Sequence, residues 1–123
     1  MNRAQFKEMW WAQDTGDIEK FGTFIDDEVV FNMVGVPGQE THFTGKKALK
    51  EFFQGVANLK SRGESYFHLE PEWIVIEGDL AAAHGTGKHT YPGRLGDTVR
   101  FVDFFKMKDG KIVEYNVFIY SVE

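Results

Sequence analysis

The chain has no cysteine, only three prolines, and a single doublet of basic residues, Lys46-Lys47, at the predicted start of a helix. Without cysteine there is no disulfide, no thiolate metal site and no cysteine nucleophile. A net charge of −5 with no basic face argues against a nucleic-acid partner. No apolar run approaches the ~20 residues of a membrane span, and the opening "MNRAQFKEMWW" lacks the apolar core of a signal peptide. The expectation is therefore a soluble cytoplasmic protein that engages neither membrane nor nucleic acid. Histidines are also few. His42, His68, His84 and His89 show no H-x-H or H-x-x-x-H spacing on one element, so no metal or other cofactor is expected. The Gly-x-Gly in "HGTGKH" lacks the strand-to-helix setting of a phosphate loop.

What the sequence has in excess is aromatic. Twelve Phe, four Tyr and three Trp in 123 residues are a heavy load for one domain. Either the core is unusually aromatic, or an aromatic cavity is left open for a ligand.

The first half reads as mainly helical. Asn2 can cap a helix in which Phe6, Met9, Trp10 and Gln13 follow the i, i+3, i+4, i+7 spacing. "DTGD" stops that helix and offers Asp17 as the cap of a short second one. "EVVFNMV" (28–34) is β-branched and aromatic and is predicted as a strand, with Asp26, Asp27 and Glu28 as a solvated junction. "FTGKKALKEFFQGVANL" is a third, amphipathic helix capped by Thr44, with Ala48, Leu49, Phe52, Phe53 and Val56 on one side. The second half reads as strands. "SYFHLEPEWIVIE" (65–77) is interrupted by Pro71, which makes it bulged, bent or an edge. "LAAAHGTGKHTY" (80–91) follows. "TVRFVDFFKM" and "KIVEYNVFIYSV" then flank "KDG" as a hairpin. One domain over residues 1–123, α+β, with three N-terminal helices on one face of an antiparallel sheet, accommodates this order.

The hairpin turn decides where the carboxylate of "RFVDFF" points. A two-residue turn at Asp109-Gly110 would pair Lys108 with Lys111. A three-residue "KDG" loop would pair Met107 with Lys111. The second register gathers Phe101, Asp103, Phe105 and Met107 on one face with Val113, Tyr115, Val117 and Ile119, and hydrophobic patterning favours it. It points Asp103 inward beside Tyr115 and turns Arg100 outward. An inward carboxylate among aromatic rings has its pKa raised by desolvation unless a partner lowers it, and such groups tend to be functional.

Four segments, "DTGDIEKFGTFIDDEVVF", "FTGKKALKEFF", "VIEGDLAAAHGTG" and "FVDFFKMKDGKIVEYNVF", resemble the SnoaL-like branch of the NTF2-like superfamily, which includes ketosteroid isomerases, polyketide cyclases and limonene epoxide hydrolase. The resemblance covers nearly the whole chain. It implies a cone-shaped α+β barrel in which a curved sheet wraps the helices around an apolar pocket, and homodimers are common in the family. Asp103 falls where ketosteroid isomerases carry a neutral aspartic acid that donates to an oxyanion, and where several cyclases carry an acid/base aspartate. The isomerase's general-base position is Asn32 here, and its first-helix tyrosine is Met9, so two of that mechanism's three groups are replaced. Limonene epoxide hydrolase uses an Asp-Arg-Asp set. Arg100, on the opposite strand face from Asp103, does not supply it.

The candidate site follows from both lines. Asp103 is the candidate acid/base group, with Tyr115 and Asn32 to orient it or the ligand. Met9, Trp10, Phe53, Trp73, His89, Phe101 and Val117 are candidates for the pocket wall. Each has a plainer reading as core or surface: Tyr115 as a core anchor, Asn32 as a bulge residue, His89 as a surface histidine. On the outer face of the last hairpin, Val102, Phe104, Phe118 and Tyr120 form an apolar patch that a monomer would expose, and a homodimer interface is expected there. The functional expectation is cofactor-free acid/base chemistry (isomerase, cyclase or dehydratase) on a carbonyl-bearing hydrophobic small molecule. The alternative is a non-catalytic ligand-binding or dimerisation module.

Overall fold

Asn2 opens the first helix as its position suggests. Its side chain accepts from the Gln5 amide at 2.9 Å, and the Gln5 side chain accepts from the Asn2 amide at 2.8 Å. This reciprocal capping box satisfies donors the first turn cannot. Helix α1 (Arg3–Thr15) ends at Gly16, whose φ of 81° closes the last turn left-handed. Asp17 then caps the short α2 (Ile18–Gly22) through the Lys20 amide. The chain continues as β1 (Ile25–Val34), β2 (Thr41–Thr44), α3 (Lys46–Ser61), β3 (Phe67–Glu77), β4 (Leu80–His89), β5 (Thr98–Lys108) and β6 (Lys111–Ser121). This computed structural model describes residues 1–35, 40–63, 67–89 and 98–121.

The six strands form one sheet in the order β2-β1-β6-β5-β4-β3. The sheet is curved and unclosed, and the helices pack on one face of it. That is the α+β cone expected, with three differences. The β1–β6 pair is parallel rather than antiparallel. A short strand, β2, precedes α3, so Thr44 is a strand residue and not a helix cap; the cap position is Gly45, which offers no side-chain bond. Strand β1 also starts earlier than "EVVFNMV" implies, at Ile25, and takes in Asp26, Asp27 and Glu28 with a register shift between Ile25 and Val30. Pro71 lies in edge strand β3 next to a bulge, which spares the ladder a missing donor.

The last hairpin turns differently from the favoured reading. Lys108 pairs with Lys111, and Asp109 (φ 52°) and Gly110 (φ 77°) both take the left-handed conformation of a two-residue type I′ turn. An extra residue, Val113, is absorbed in β6, where pairing steps from Met107–Ile112 to Lys106–Glu114. The bulge brings Ile112 and Tyr115, three apart in sequence, onto the same face. The inner face therefore holds Phe101, Asp103, Phe105 and Met107 with Ile112, Tyr115, Val117 and Ile119. Ile112 replaces Val113, which is half-buried. Asp103 lies opposite Val117 and Tyr115 lies opposite Phe105, so Asp103 and Tyr115 are not cross-strand neighbours.

Candidate functional site

Asp103 sits at the middle of β5, with Ala83 on β4 and Val117 on β6 as its register partners. The small Ala83 leaves the carboxyl room on one side. Its other surroundings are aromatic. Phe105 packs against Phe6 (centroids 5.0 Å apart), Trp10 (5.7 Å) and Tyr115 (4.7 Å), so α1 and β6 both lean on the strand that carries the acid. Asp103 is 0% exposed and is the one fully buried charged or polar residue among those described. Neither of its carboxyl oxygens has a hydrogen-bond partner among the described residues. Burial pushes its pKa well above the ordinary carboxylate range, and the Trp10 indole opposes this more weakly. The indole acts through a contact that falls short of a hydrogen bond, because Trp10 Nε1 is itself buried without a partner.

Tyr115 is also buried, and its hydroxyl donates to Gln13 Oε1 at 3.1 Å. Burial raises its pKa most, the negative charge of Asp103 adds to this, and the contacts with Gln13 and Trp10 lower it. The phenol therefore stays neutral and is turned to α1 rather than to the acid. Gln13 occupies the i+7 position of the Phe6, Met9, Trp10 stripe. A polar residue on an otherwise buried helix face is the sequence signal for it, although spacing alone gave it no role. Trp10, Gln13, Phe53, Val56 and Ala57 line a cleft of about 20 Å³ between α1 and α3, room for roughly one water molecule. The Asp14–Lys60 ion pair, at 3.4 Å, lies at its mouth. Among the described residues, this cleft beside the aromatic core is narrow.

Of the wall residues expected, Met9, Trp10, Phe53, Phe101 and Val117 all lie on the inner side. Phe101 lies over Gly85 of β4, where a Cβ would come within 2.7 Å of its ring. Phe53 packs edge-on against Phe21 and Phe31. Two expectations fail. Trp73 is 48% exposed and stacks on His84 on the outer face. The extra residue at the Pro71–Trp73 bulge reverses the alternation of β3, so Ile74 faces inward instead. Asn32 also faces outward, since Phe31 takes the inner side of β1; its amide bonds Asn116 Oδ1 at 2.8 Å and its carbonyl contacts His42. Asn32 is therefore remote from Asp103 across the sheet and is removed from the site. His89 is placed only as a strand position opposite Phe67, and its side chain lies outside the described residues. Arg100 points outward as expected, 4.0 Å from Glu72.

Residues 5–115 match the model of the SnoaL-like domain. The chain belongs to the SnoaL-like family. None of the curated proteins matches it in sequence. Solved structures do match it in fold. A proposed polyketide cyclase from Sinorhizobium meliloti superposes with a TM-score of 0.73 at 18% identity, covering 94% of each chain. A proposed ketosteroid isomerase from Kribbella flavida gives 0.73 at 16% identity, covering 98% of this chain and 78% of that one. An NTF2-like protein of unknown function from Cytophaga hutchinsonii gives 0.70 at 14%, covering 95% and 88%. At these identities the likeness establishes the NTF2-like fold of this SnoaL-like chain and leaves its chemistry to its own residues.

Proposed function

We propose that the protein carries out cofactor-free acid/base chemistry on a hydrophobic, carbonyl-bearing small molecule, an isomerisation, cyclisation or dehydration, with Asp103 as the proton-handling group. One observation carries this reading: Asp103 is wholly buried in an aromatic shell with both oxygens unpartnered among the described residues. An ionised carboxylate in that position would cost several kcal/mol without a partner. The group is therefore held as a neutral acid, which can donate to a carbonyl oxygen and take the proton back from carbon as its own conjugate base. A pKa raised towards the working pH makes transfer in both directions efficient. No second carboxylate is buried beside it among the described residues, so the chemistry proposed rests on one acid and not on a pair. The names of the structural relatives, a cyclase and an isomerase, agree with reactions at carbonyl compounds.

A test that does not require the natural substrate is exchange at carbon. The protein is incubated in D2O with a series of cyclic ketones, and loss of the α-proton signals is followed by NMR. Asp103→Asn is expected to slow this by about 10²–10⁴-fold. Equal rates in the two proteins would refute the reading.

The full burial of Asp103 favours a second reading. An acid 0% exposed within the aromatic core suits a module in which Asp103 has no turnover and the domain only binds or dimerises. In either reading we propose a homodimer through the outer sheet face. Phe104, Phe118 and Tyr120 are exposed there, Val102 is half-buried, and a surface hollow of about 290 Å³ bordered by Val75, Leu80 and Phe104 adjoins them. A second copy would cover this apolar area, which is costly to leave in water.

A further inference from the structure

Asp103 is 0% exposed, so a molecule that meets its carboxyl has to displace part of the surrounding shell. The cleft between α1 and α3 lies against that shell. Two of its lining side chains pack on rings of the inner face: Trp10 on Phe105 at 5.7 Å and Phe53 on Tyr115 at 6.4 Å. Phe105 stands two residues from Asp103 on the same side of β5. At about 20 Å³ the cleft has room for roughly one water. A ligand passes there only if one wall moves.

Helix α3 is held unevenly. Its buried residues, Leu49 and Phe53, both lie before Gly55. Phe52 and Phe53 are seated on Phe21, Phe31 and Phe43, with ring centroids 5.1–5.7 Å apart. Lys50 pairs with Glu19 at 2.7 Å. Beyond Gly55, Val56, Ala57 and Leu59 are only half-buried. Gly55 has no packing reason to be glycine, since a Cβ there would meet nothing within 4 Å. Glycine inside a helix weakens it, and here the weak point falls where the packing thins. The end of α3 is fastened to α1 by Lys60, whose ammonium donates to the Asp14 carbonyl at 3.3 Å and to the Asp14 carboxylate at 3.4 Å. A partly exposed ion pair holds weakly, so it closes the seam and still releases it.

We propose that the seam between α1 and α3 is the way in to Asp103: the part of α3 beyond Gly55 swings off α1, with Gly55 as the hinge and the Lys60–Asp14 pair as the latch. This rests on the reading of Asp103 as a group that meets a ligand. The walls so parted include Trp10, Phe53, Val56 and Ala57, which are apolar and fit a hydrophobic molecule. The first half of α3 stays in place, so the aromatic shell beneath it keeps its shape while the seam is open.

The first test needs no ligand. Trp10 Nε1 is buried and lines the cleft, whereas Trp11 and Trp73 are 69% and 48% exposed, so its N–H is the slow indole in D2O exchange of the ¹⁵N-labelled full chain. Opening of the seam uncovers it. Its exchange is expected to run ahead of the amides at the centre of β5 and to rise little with urea up to about 1 M, because a local opening exposes little surface. Gly55→Ala is expected to slow it by about 5-fold, the effect of stiffening one helical residue. Indole exchange that climbs with urea as steeply as the β5 amides, or that Gly55→Ala leaves unchanged, overturns the proposal.

The second test locks the seam. A Cβ on Gly16 would lie 3.3 Å from the Ala57 Cβ, close to the spacing of a disulfide, and the chain has no other cysteine to compete. Gly16→Cys/Ala57→Cys is compared with itself, oxidised and reduced, so strain from cysteine at the left-handed position 16 is common to both forms. The oxidised form is expected to exchange the α-protons of 1-tetralone at least about 10-fold more slowly than the reduced form, with the rate restored by reductant. Equal rates in the two forms would overturn the proposal. The two readings fail separately. A wild type that exchanges no ketone proton, while its indole exchanges by local opening, removes the chemistry proposed for Asp103 and keeps the door. Ketone exchange that survives the lock keeps the chemistry and removes the door. The wild-type urea series and Gly55→Ala decide the matter even where the double variant does not fold.

Discussion

Replacing Asp103 by leucine keeps the branched outline of the side chain and removes the ionisable group, so the change in stability reads directly on the state of the acid. An aspartate in the unfolded chain titrates near a pKa of about 3.9. In the folded protein burial raises that value. The folded state then holds its proton more tightly than the unfolded one. The contribution is fully present below the unfolded pKa and is lost as pH rises towards and through the folded pKa. The wild type should therefore lose stability relative to Asp103→Leu by about 1.4 kcal/mol for each pH unit between those two values. For a domain of 123 residues this is about 5–6 °C in Tm per pH unit. Packing differences between leucine and aspartate shift the whole curve and do not tilt it. Urea titrations of both proteins at half-unit steps from pH 4.5 to 8 measure the slope. A difference that stays constant across that range would mean that Asp103 ionises normally and has a partner, and the reasoning from its isolation would be wrong.

Other substitutions probe the frame around the acid. Tyr115→Phe removes the bond to Gln13 and should cost about 1 kcal/mol in urea denaturation, with the carbonyl of Gln13 left short of a donor; no loss would mean that the hydroxyl is not held there. Gly85→Ala drives a Cβ into the Glu70 carbonyl and the Phe101 ring and should destabilise by about 3 kcal/mol or more, visible as a collapse of Tm. Phe118→Lys should convert a sedimenting dimer to monomer, and a wild type that is monomeric at tens of micromolar would remove the outer face as an interface. Asn32→Ala should leave the α-proton exchange rate intact, since Asn32 lies on the far side of the sheet; a large loss would return it to the site.

The fold was readable because its local signals agree with one another: the Asn2 capping box, the "DTGD" break, the Pro71 bulge and the alternation of the last two strands. What was not readable depends on single extra residues. One residue inserted in a strand reverses every side chain beyond it. Glu72 in β3 turned Trp73 outward, and Val113 in β6 placed Tyr115 opposite Phe105 rather than Asp103. The hairpin inner face was right although its turn was wrong, because a two-residue turn plus one bulge reaches the same parity as a three-residue loop. Asp103 was legible from patterning as an inward acid. The buried, unpartnered indole N–H of Trp10 was not, because only the packing of α1 against Phe105 of β5 shows it.

The central claim is that burial holds the proton on Asp103 well above the ordinary carboxylate range, and carbon NMR tests it most directly. In a chain labelled at the aspartate side-chain carboxyls, the signal missing from Asp103→Asn belongs to Asp103. This account predicts that the signal keeps the position of a neutral carboxylic acid well above about pH 4, because burial raises its pKa. A change to the carboxylate position with a midpoint near the ordinary aspartate value of about 3.9 would contradict it.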